Sequence, residues 1–337
     1  MFVGLVVLLA GSMLAGVAFG SVWISPPTSL RLLAWKLHAT GHPTGIPDSM
    51  GVILFQLRLP RVLLAALVGG ALAAAGAVFQ GLFRNPLADP AIIGVSSGAA
   101  LGAIAVILAG GGAALGGLGV PAAAFAGALA TGFLVYRLAR IGPAVQVATL
   151  LLAGIAVAAV VSAAISLAMT FSGQDVRSIY FWLLGGLGTR GWPSLEAATP
   201  LVTVGLVVSM LFVGDLNLSA LGEERAAQLG LEVERFKRVM LATGALLAAA
   251  AVSVSGLIGF VGLMTPHILR LVIGSDHRKL VPASVLGGAA FMVLADLAAR
   301  TVISPEEIPV GAVTAILGGP FFLYLLRRER RLAGARA

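Results

Sequence analysis

Ten apolar stretches recur along this chain, near residues 2–22, 60–82, 91–109, 118–137, 147–170, 194–214, 239–254, 257–273, 282–299 and 310–326. A lipid bilayer takes about 20 apolar residues to cross as a helix, and most of these stretches meet that length. Hydrophobic residues make up 59% of the 337 and charged residues only 11%, against about 25% charged in ordinary soluble domains. A soluble interior cannot hide that much apolar surface, so the expectation is an all-α polytopic membrane protein. It has ten transmembrane helices in one domain spanning 1–337. The seventh and eighth spans are short. A turn is expected at Ser255–Gly256, although "SGLIGFVGLMTP" also suits irregular backbone buried among other helices.

An even number of crossings puts both termini on one side. With the termini cytoplasmic, Arg84, Arg137, Arg140, Arg225, Arg235, Lys237, Arg238, Arg270, Arg278, Lys279, Arg327, Arg328, Arg330, Arg331 and Arg336 lie inside, and Arg31, Lys36, Arg58, Arg61, Arg177, Arg190 and Arg300 outside. That is 15 of the 22 basic residues against 7, the bias that cytoplasmic loops show. The net charge of +8 is therefore read as a topology signal and not as a nucleic-acid surface. The opening "MFVGLVVLLAGSMLAGVAFG" lacks the basic start of a secretory signal and reads as a retained first span.

One segment stands apart. "LNLSALGEERAAQLGLEVERFKR", residues 216–238, carries eight charges in 23 residues on the cytoplasmic side. An ordinary solvated loop and a partner-binding helix pair both fit that composition.

Chemistry inside the spans is sparse. Gly94-Val95-Ser96-Ser97-Gly98 matches a nucleophile-elbow spacing but opens a glycine-rich span, without the strand–turn–helix context that motif needs. The histidines, His38, His42, His267 and His277, do not cluster at ligand spacing, and His267 beside Pro266 reads as a packed helix-start residue. Cysteine is absent, which removes disulfides and thiolate metal sites. Asp296 is the carboxylate well inside a span, a functional hypothesis by default. Arg300 lies four residues on, in the order favouring a helical ion pair, which is the structural alternative. No G-x-x-x-x-G-K-[ST] sequence occurs, so the chain has no phosphate-binding loop of that type. Any uphill transport needs energy from another chain.

Arg58 and Arg61 are three apart, on one helix face at the expected outer start of the second span, where Pro60 suits a first turn. Cations there oppose the helix dipole. An acidic partner arriving from outside explains them, and so does anchoring to lipid phosphate.

Read together, "RLPRVLLAALVGGALAAAGAVFQGLFRNPLADPAIIGVSSGAALGA" (58–103), "LLLAGIAV" (150–157), "FWLLGGLGTRGW" (181–192), "LGEERAAQLGLEVER" (221–235), "GLIGFVGLMTPHILRLVIGSDHRKLVPASVLGGA" (256–289) and "LADLAARTVISPEEIPVGAVTAILGGPFFLYLLRR" (294–328) resemble the FecCD family. These are permease subunits of bacterial importers for iron-siderophores, haem and cobalamin. The stretch 23–54 is the part least like it.

The resemblance implies a type II ABC importer permease fold in the bacterial inner membrane. It also implies a homodimer, two ATP-binding-cassette subunits below it and a periplasmic substrate-binding protein above it. The chain itself would bind no cofactor, with ATP and magnesium on the cassette subunits. By the same resemblance, 215–238 is the segment coupling to the ATPase, through Leu221, Gly222, Glu223, Glu224, Arg225, Leu229 and Gly230. Arg58, Arg61 and Arg300 meet the binding protein. Asn85, Leu87 and Val147 belong to a cytoplasmic gate. The solute is an iron complex, haem before ferric siderophore, with cobalamin as the alternative. Two other classes stand against this reading. An ion-coupled secondary transporter needs more buried titratable groups than Asp296, and an intramembrane hydrolase needs a serine or metal constellation.

Overall fold

The computed structural model describes residues 1–20, 22–38, 45–141, 144–188 and 190–334; all the site residues above fall within these, while His42 and Arg336 lie outside them. The described chain is helical almost throughout. Helix α1 (Phe2–Ala18) is followed by α2 (Pro26–Lys36) and α3 (Asp48–Val52), which runs through a π-helical segment, Ile53–Arg58, into α4 (Leu59–Leu82). Then come α5 (Val95–Leu108), α6 (Gly119–Ala139), α7 (Val147–Thr170), α8 (Val176–Leu184) and α9 (Trp192–Leu211). Two short helices follow, α10 (Val213–Ser219) and α11 (Glu223–Gln228), and after them α12 (Val233–Ser255), α13 (Val261–Ile273), α14 (His277–Thr301) and α15 (Val310–Gly334). The extended backbone is a two-residue antiparallel pairing of Arg140–Ile141 with Ala144–Val145.

Each of the ten expected spans contains a helix, and the stretch 256–260 at the start of the eighth is irregular backbone. Among the described residues six helices are long and apolar enough to cross a membrane: Asp48–Leu82, Gly119–Ala139, Val147–Thr170, Trp192–Leu211, Val233–Ser255 and His277–Thr301. Val95–Leu108 qualifies jointly with the 3-10 turns Gly111–Gly117, from which it is bent by 104°. Phe2–Ala18, Val261–Ile273 and Val310–Leu325 are shorter apolar helices.

The largest correction concerns the second span. It starts at Asp48, not Pro60, and is helical for 35 residues. Pro60 lacks an N–H and its ring crowds the preceding turn; the π-helical turns just before it accommodate the misfit without ending the helix. Arg58 and Arg61 are therefore not at a free helix N-terminus, and the dipole argument about them lapses. Likewise α12 begins at Val233, so Lys237 and Arg238 form part of a membrane helix. Nothing between 233 and 239 breaks a helix. Helix α14 begins at His277, where Asp276 caps it by accepting from Arg278 N at 3.0 Å. Pro282 is then an internal residue near the helix start. The Ser255–Gly256 boundary stands as expected: α12 ends at Ser255, with Gly256 at φ 71°. His267 sits within α13, buried and edge-on to the Phe321 ring at 6.2 Å, so it is not a helix-start residue.

The core is built on α4, which packs against α14, α12, α13 and α9 and is buried on nearly every side. Small residues permit this. A Cβ placed on Gly98 would sit 2.3 Å from Gly127 O of α6 and 2.2 Å from Thr131 Oγ1, and one on Gly102 would sit 2.1 Å from Ala123 O. The Gly98-x-x-x-Gly102 face is thus the α5–α6 contact, with backbones in direct approach. Gly98→Ala is expected to destabilise the fold by about 1–3 kcal/mol through overpacking, lowering the detergent melting temperature read by fluorescence-detected gel filtration. Gly4→Ala, with nothing within 4 Å, serves as control; equal melting of the two variants would remove close approach as the role of Gly98.

Candidate functional site

Two polar regions sit at opposite ends of this apolar bundle. The first gathers Arg58, Arg61, Arg300 and Asp296, where α4 and α14 pass the end of α1. Helix α1 ends there with backbone carbonyls lacking helical partners, as every helix C-terminus does. Arg58 Nη1 donates to Val17 O at 2.9 Å and Ala18 O at 2.8 Å, and its Nη2 to Val22 O. Arg300 donates to Phe19 O at 3.1 Å and to Gly16 O. Two guanidiniums thus cap one helix at its negative end, the favourable side of its dipole.

Arg61 completes the cluster. Its Nε lies 3.0 and 3.1 Å from the two carboxylate oxygens of Asp296, and its Nη2 lies 2.9 Å from one of them. Its Nη1 donates to both oxygens of Glu307, at 2.9 and 3.0 Å. The expected i,i+4 pair is present, Arg300 Nε lying 3.3 Å from Asp296, but Arg61 holds the same carboxylate more closely from another helix. Asp296 is 1% exposed, and Arg58, Arg61 and Arg300 are 6, 9 and 7% exposed. These arginines point inward, where the sequence suggested a presented surface, and they clasp α1, α4 and α14 together. They also line a cavity of about 550 Å³, shared with Arg190 and the half-exposed Glu307.

The second region is the charged segment. Gly222 at φ 104° and Gly230 at φ 91° adopt backbone open to glycine and divide it, freeing α11 as a separate short helix. Its residues part into two sets. Ala226 is buried, and the half-exposed Glu223 is tied to the bundle: Lys237 Nζ, itself buried at the start of α12, lies 2.8 Å from Glu223 and 3.2 Å from Glu234. Arg84 approaches Glu223 at 4.0 Å. Leu221, Glu224, Arg225 and Leu229 face outward. Glu223 is therefore a tether to α12 as well as part of the exposed charged face. A second tether comes from Asn217 of α10. Its Nδ2 donates to Asp276 at 2.7 Å, and its Oδ1 accepts from His277 N at 2.9 Å. The bond from Asn217, with that from Arg278 N, holds the Asp276 carboxyl below its usual range. Sequence reasoning did not single out Lys237, Asn217 or Asp276, since each finds its partner only through folding.

The expected gate residues lie beside this region. Asn85 is exposed, and its Oδ1 accepts from Leu87 N at 2.9 Å, fixing the turn after α4. Leu87 is half-buried. Val147 opens α7, just after Val145, whose N–H donates to Glu234 at 3.2 Å. Glu234 thus joins the α7 start to the Lys237 tether. The candidate elbow, by contrast, is a helix start: Ser97 Oγ donates back to Gly94 O at 2.9 Å.

A family model described as the FecCD transport family matches residues 6–328. The chain is 49% identical over 288 residues to the cobalamin import system permease protein BtuC of Halobacterium salinarum, covering 85% of this chain and 77% of that one. It is 45% identical over 290 residues to the hemin transport system permease protein HmuU of Yersinia pestis, covering 85% and 86%. A solved structure of a metal-chelate type ABC transporter in an inward-facing conformation superposes with a TM-score of 0.83 at 32% identity, covering 96% of this chain and 98% of that one.

Proposed function

The chain belongs to the FecCD transport family, and from that premise we propose that it is the membrane-spanning subunit of a binding-protein-dependent, ATP-driven importer. The observation that carries the proposal furthest is the α10–α11 platform. It is a short polar helix pair, fastened through Lys237 to the base of α12 and through Asn217 to the start of α14. Its outer side carries Leu221, Glu224, Arg225 and Leu229. A tether of this kind serves a surface that must take a load from a partner and pass it to membrane helices.

In this reading two copies pair about a central path and cross the inner membrane ten times each, with both termini cytoplasmic. One ATP-binding-cassette subunit seats on each platform and hydrolyses ATP with magnesium. Closure of the cassettes moves α12 and α14 through the tethers, so the path opens alternately to either side. Asn85, Leu87 and Val147 lie on the cytoplasmic side of that path. The binding protein delivers solute at the opposite end, where acidic side chains reach the recessed Arg58, Arg61 and Arg300 through the cavity they line. The solute is an iron chelate, haem first, with cobalamin as the alternative.

The test is reconstitution of the permease with its ATPase and binding protein in proteoliposomes, offering haemin, a ferric siderophore and cobalamin in turn. Loaded binding protein is expected to stimulate ATP hydrolysis and drive uptake of one of these solutes. Uptake by the permease alone, driven by a proton gradient, would establish a secondary transporter instead.

A further inference from the structure

Loop 185–191, between α8 and α9, carries a cation that the structure leaves unbalanced. Arg190 is half-buried, no carboxylate or hydrogen-bond acceptor among the described residues meets its side chain, and its Nε is sealed from solvent. Burial alone pulls its guanidinium below the usual value. A partly buried cation with no counterion has donors free to take an anion that enters the cavity.

Its surroundings are built, and they are short of anions. Arg190 lies in the wall shared by the 550 Å³ cavity and a neighbouring one of about 520 Å³, which Arg177, Ser178, Gly186 and Ser255 also line. The carboxylate facing both cavities is Glu307, and Arg61 holds both its oxygens. Among the described residues Arg177 has no carboxylate partner, and it lies 5.7 Å from the Phe181 ring. Among the described residues five arginines thus face two carboxylates, Glu307 and Asp296, and both carboxylates are engaged. The floor is rigid. Gly185, Gly256 and Gly311 bring three backbones together so closely that a Cβ at any of them would sit 2.1–2.3 Å from a neighbouring carbonyl oxygen. Gly186 N donates to Ser255 O at 2.7 Å across the same junction.

We infer that the 520 Å³ cavity is a carboxylate subsite for the transported solute, with Arg190 and Arg177 as the charged hydrogen-bond donors. The inference rests on the importer reading and narrows its solute to a chelate bearing free carboxylates. A guanidinium offers paired N–H donors matching the two oxygens of a carboxylate. The cavity holds such an arm while the rest of the chelate lies in the path.

The probe pair is haemin and haemin dimethyl ester, which differ in their two carboxylates. Binding is measured by tryptophan quenching on the full-length permease in nanodiscs, corrected with permease-free discs. Haemin is expected to bind about tenfold or more tightly than the diester, the scale of one charge-assisted contact. Arg190→Gln and Arg177→Gln should each reduce haemin binding towards the diester level and leave the diester unchanged, and Arg190→Lys should restore part of the difference. Equal binding of the two probes, no binding of haemin, or haemin binding unaffected by Arg190→Gln overturns the inference. If Arg190→Gln instead weakens binding of the solute-free binding protein and spares haemin, the cavity receives a protein carboxylate and the inference is likewise overturned. Absence of ATP-driven uptake in the reconstituted complex counts against the importer reading alone, because the haemin–diester comparison does not depend on it.

Discussion

Asp296→Ala is expected to destabilise the folded permease by about 3–5 kcal/mol, the usual result of removing one partner from a buried ion cluster. The carboxylate is 1% exposed and meets guanidiniums from two helices, Arg61 at 2.9 Å and Arg300 at 3.3 Å. Without it, Arg61 keeps only the half-exposed Glu307, and Arg300 keeps only the carbonyls at the end of α1. The loss should appear as a lower melting temperature and as earlier proteolysis near residues 16–22, because Arg300, one of the two arginines that cap α1, is held by Asp296. Combining Asp296→Ala with Arg61→Met, which fills similar volume without charge, should recover much of the stability; that recovery marks the pair as coupled. An unaltered melting temperature would end the structural account. If stability held while transport fell and lost its pH dependence, Asp296 would become the intramembrane proton carrier that a secondary transporter requires.

This cluster also shows how far the sequence could be read. The pairing of Asp296 with Arg300 follows from helical spacing. The closer pairing with Arg61, across 235 positions, depends on α4 lying against α14, which no local pattern encodes. The helix start expected at Pro60 fails for a nameable reason. Proline suits a first turn, but the π-helical turns before it let the helix run on from Asp48, so Arg58 and Arg61 lie within a continuous helix and are buried. The boundary shifts share one cause. Hydropathy marks where a segment becomes apolar, but a helix continues beyond it through residues of sufficient propensity, so the helix that carries α4 begins 12 positions before its apolar window, α12 begins 6 before and α14 begins 5 before. Helix α2 was legible in principle, since Ser25-Pro26-Pro27-Thr28 supplies an N-cap that accepts from Thr28 N at 3.3 Å. Gly222 and Gly230, both at positive φ, divide the charged segment. Which of its charges turn inward could not be read, because Lys237 reaches Glu223 only after α11 folds back against α12.

That inward and outward division leads to the prediction with the broadest consequence. Replacing Leu221 and Leu229 with serine is expected to weaken binding of the ATPase subunit by about 3–6 kcal/mol, roughly two to four decades in Kd, if both side chains become buried on docking. Leu221 and Leu229 are 52% and 60% exposed at either end of a helix whose other side is packed, with Glu224 and Arg225 between them. An exposed apolar pair framed by charges has the make-up of an interface centre with a polar rim. Neither leucine contributes to the fold, so the variant should melt as the wild type does. Lys237→Met is the contrasting case. It leaves the outer surface intact but cuts the link from α11 to α12, so ATPase binding should change by no more than about threefold, the scale of a surface contact, while stimulation of hydrolysis by the binding protein is lost. The two variants therefore separate docking from transmission, by affinity measured on immobilised permease and by ATPase rates in proteoliposomes. Wild-type affinity in the double leucine variant would mean that the ATPase seats elsewhere. Full stimulation in Lys237→Met would mean that force reaches the membrane helices through Asn217 and α14 instead.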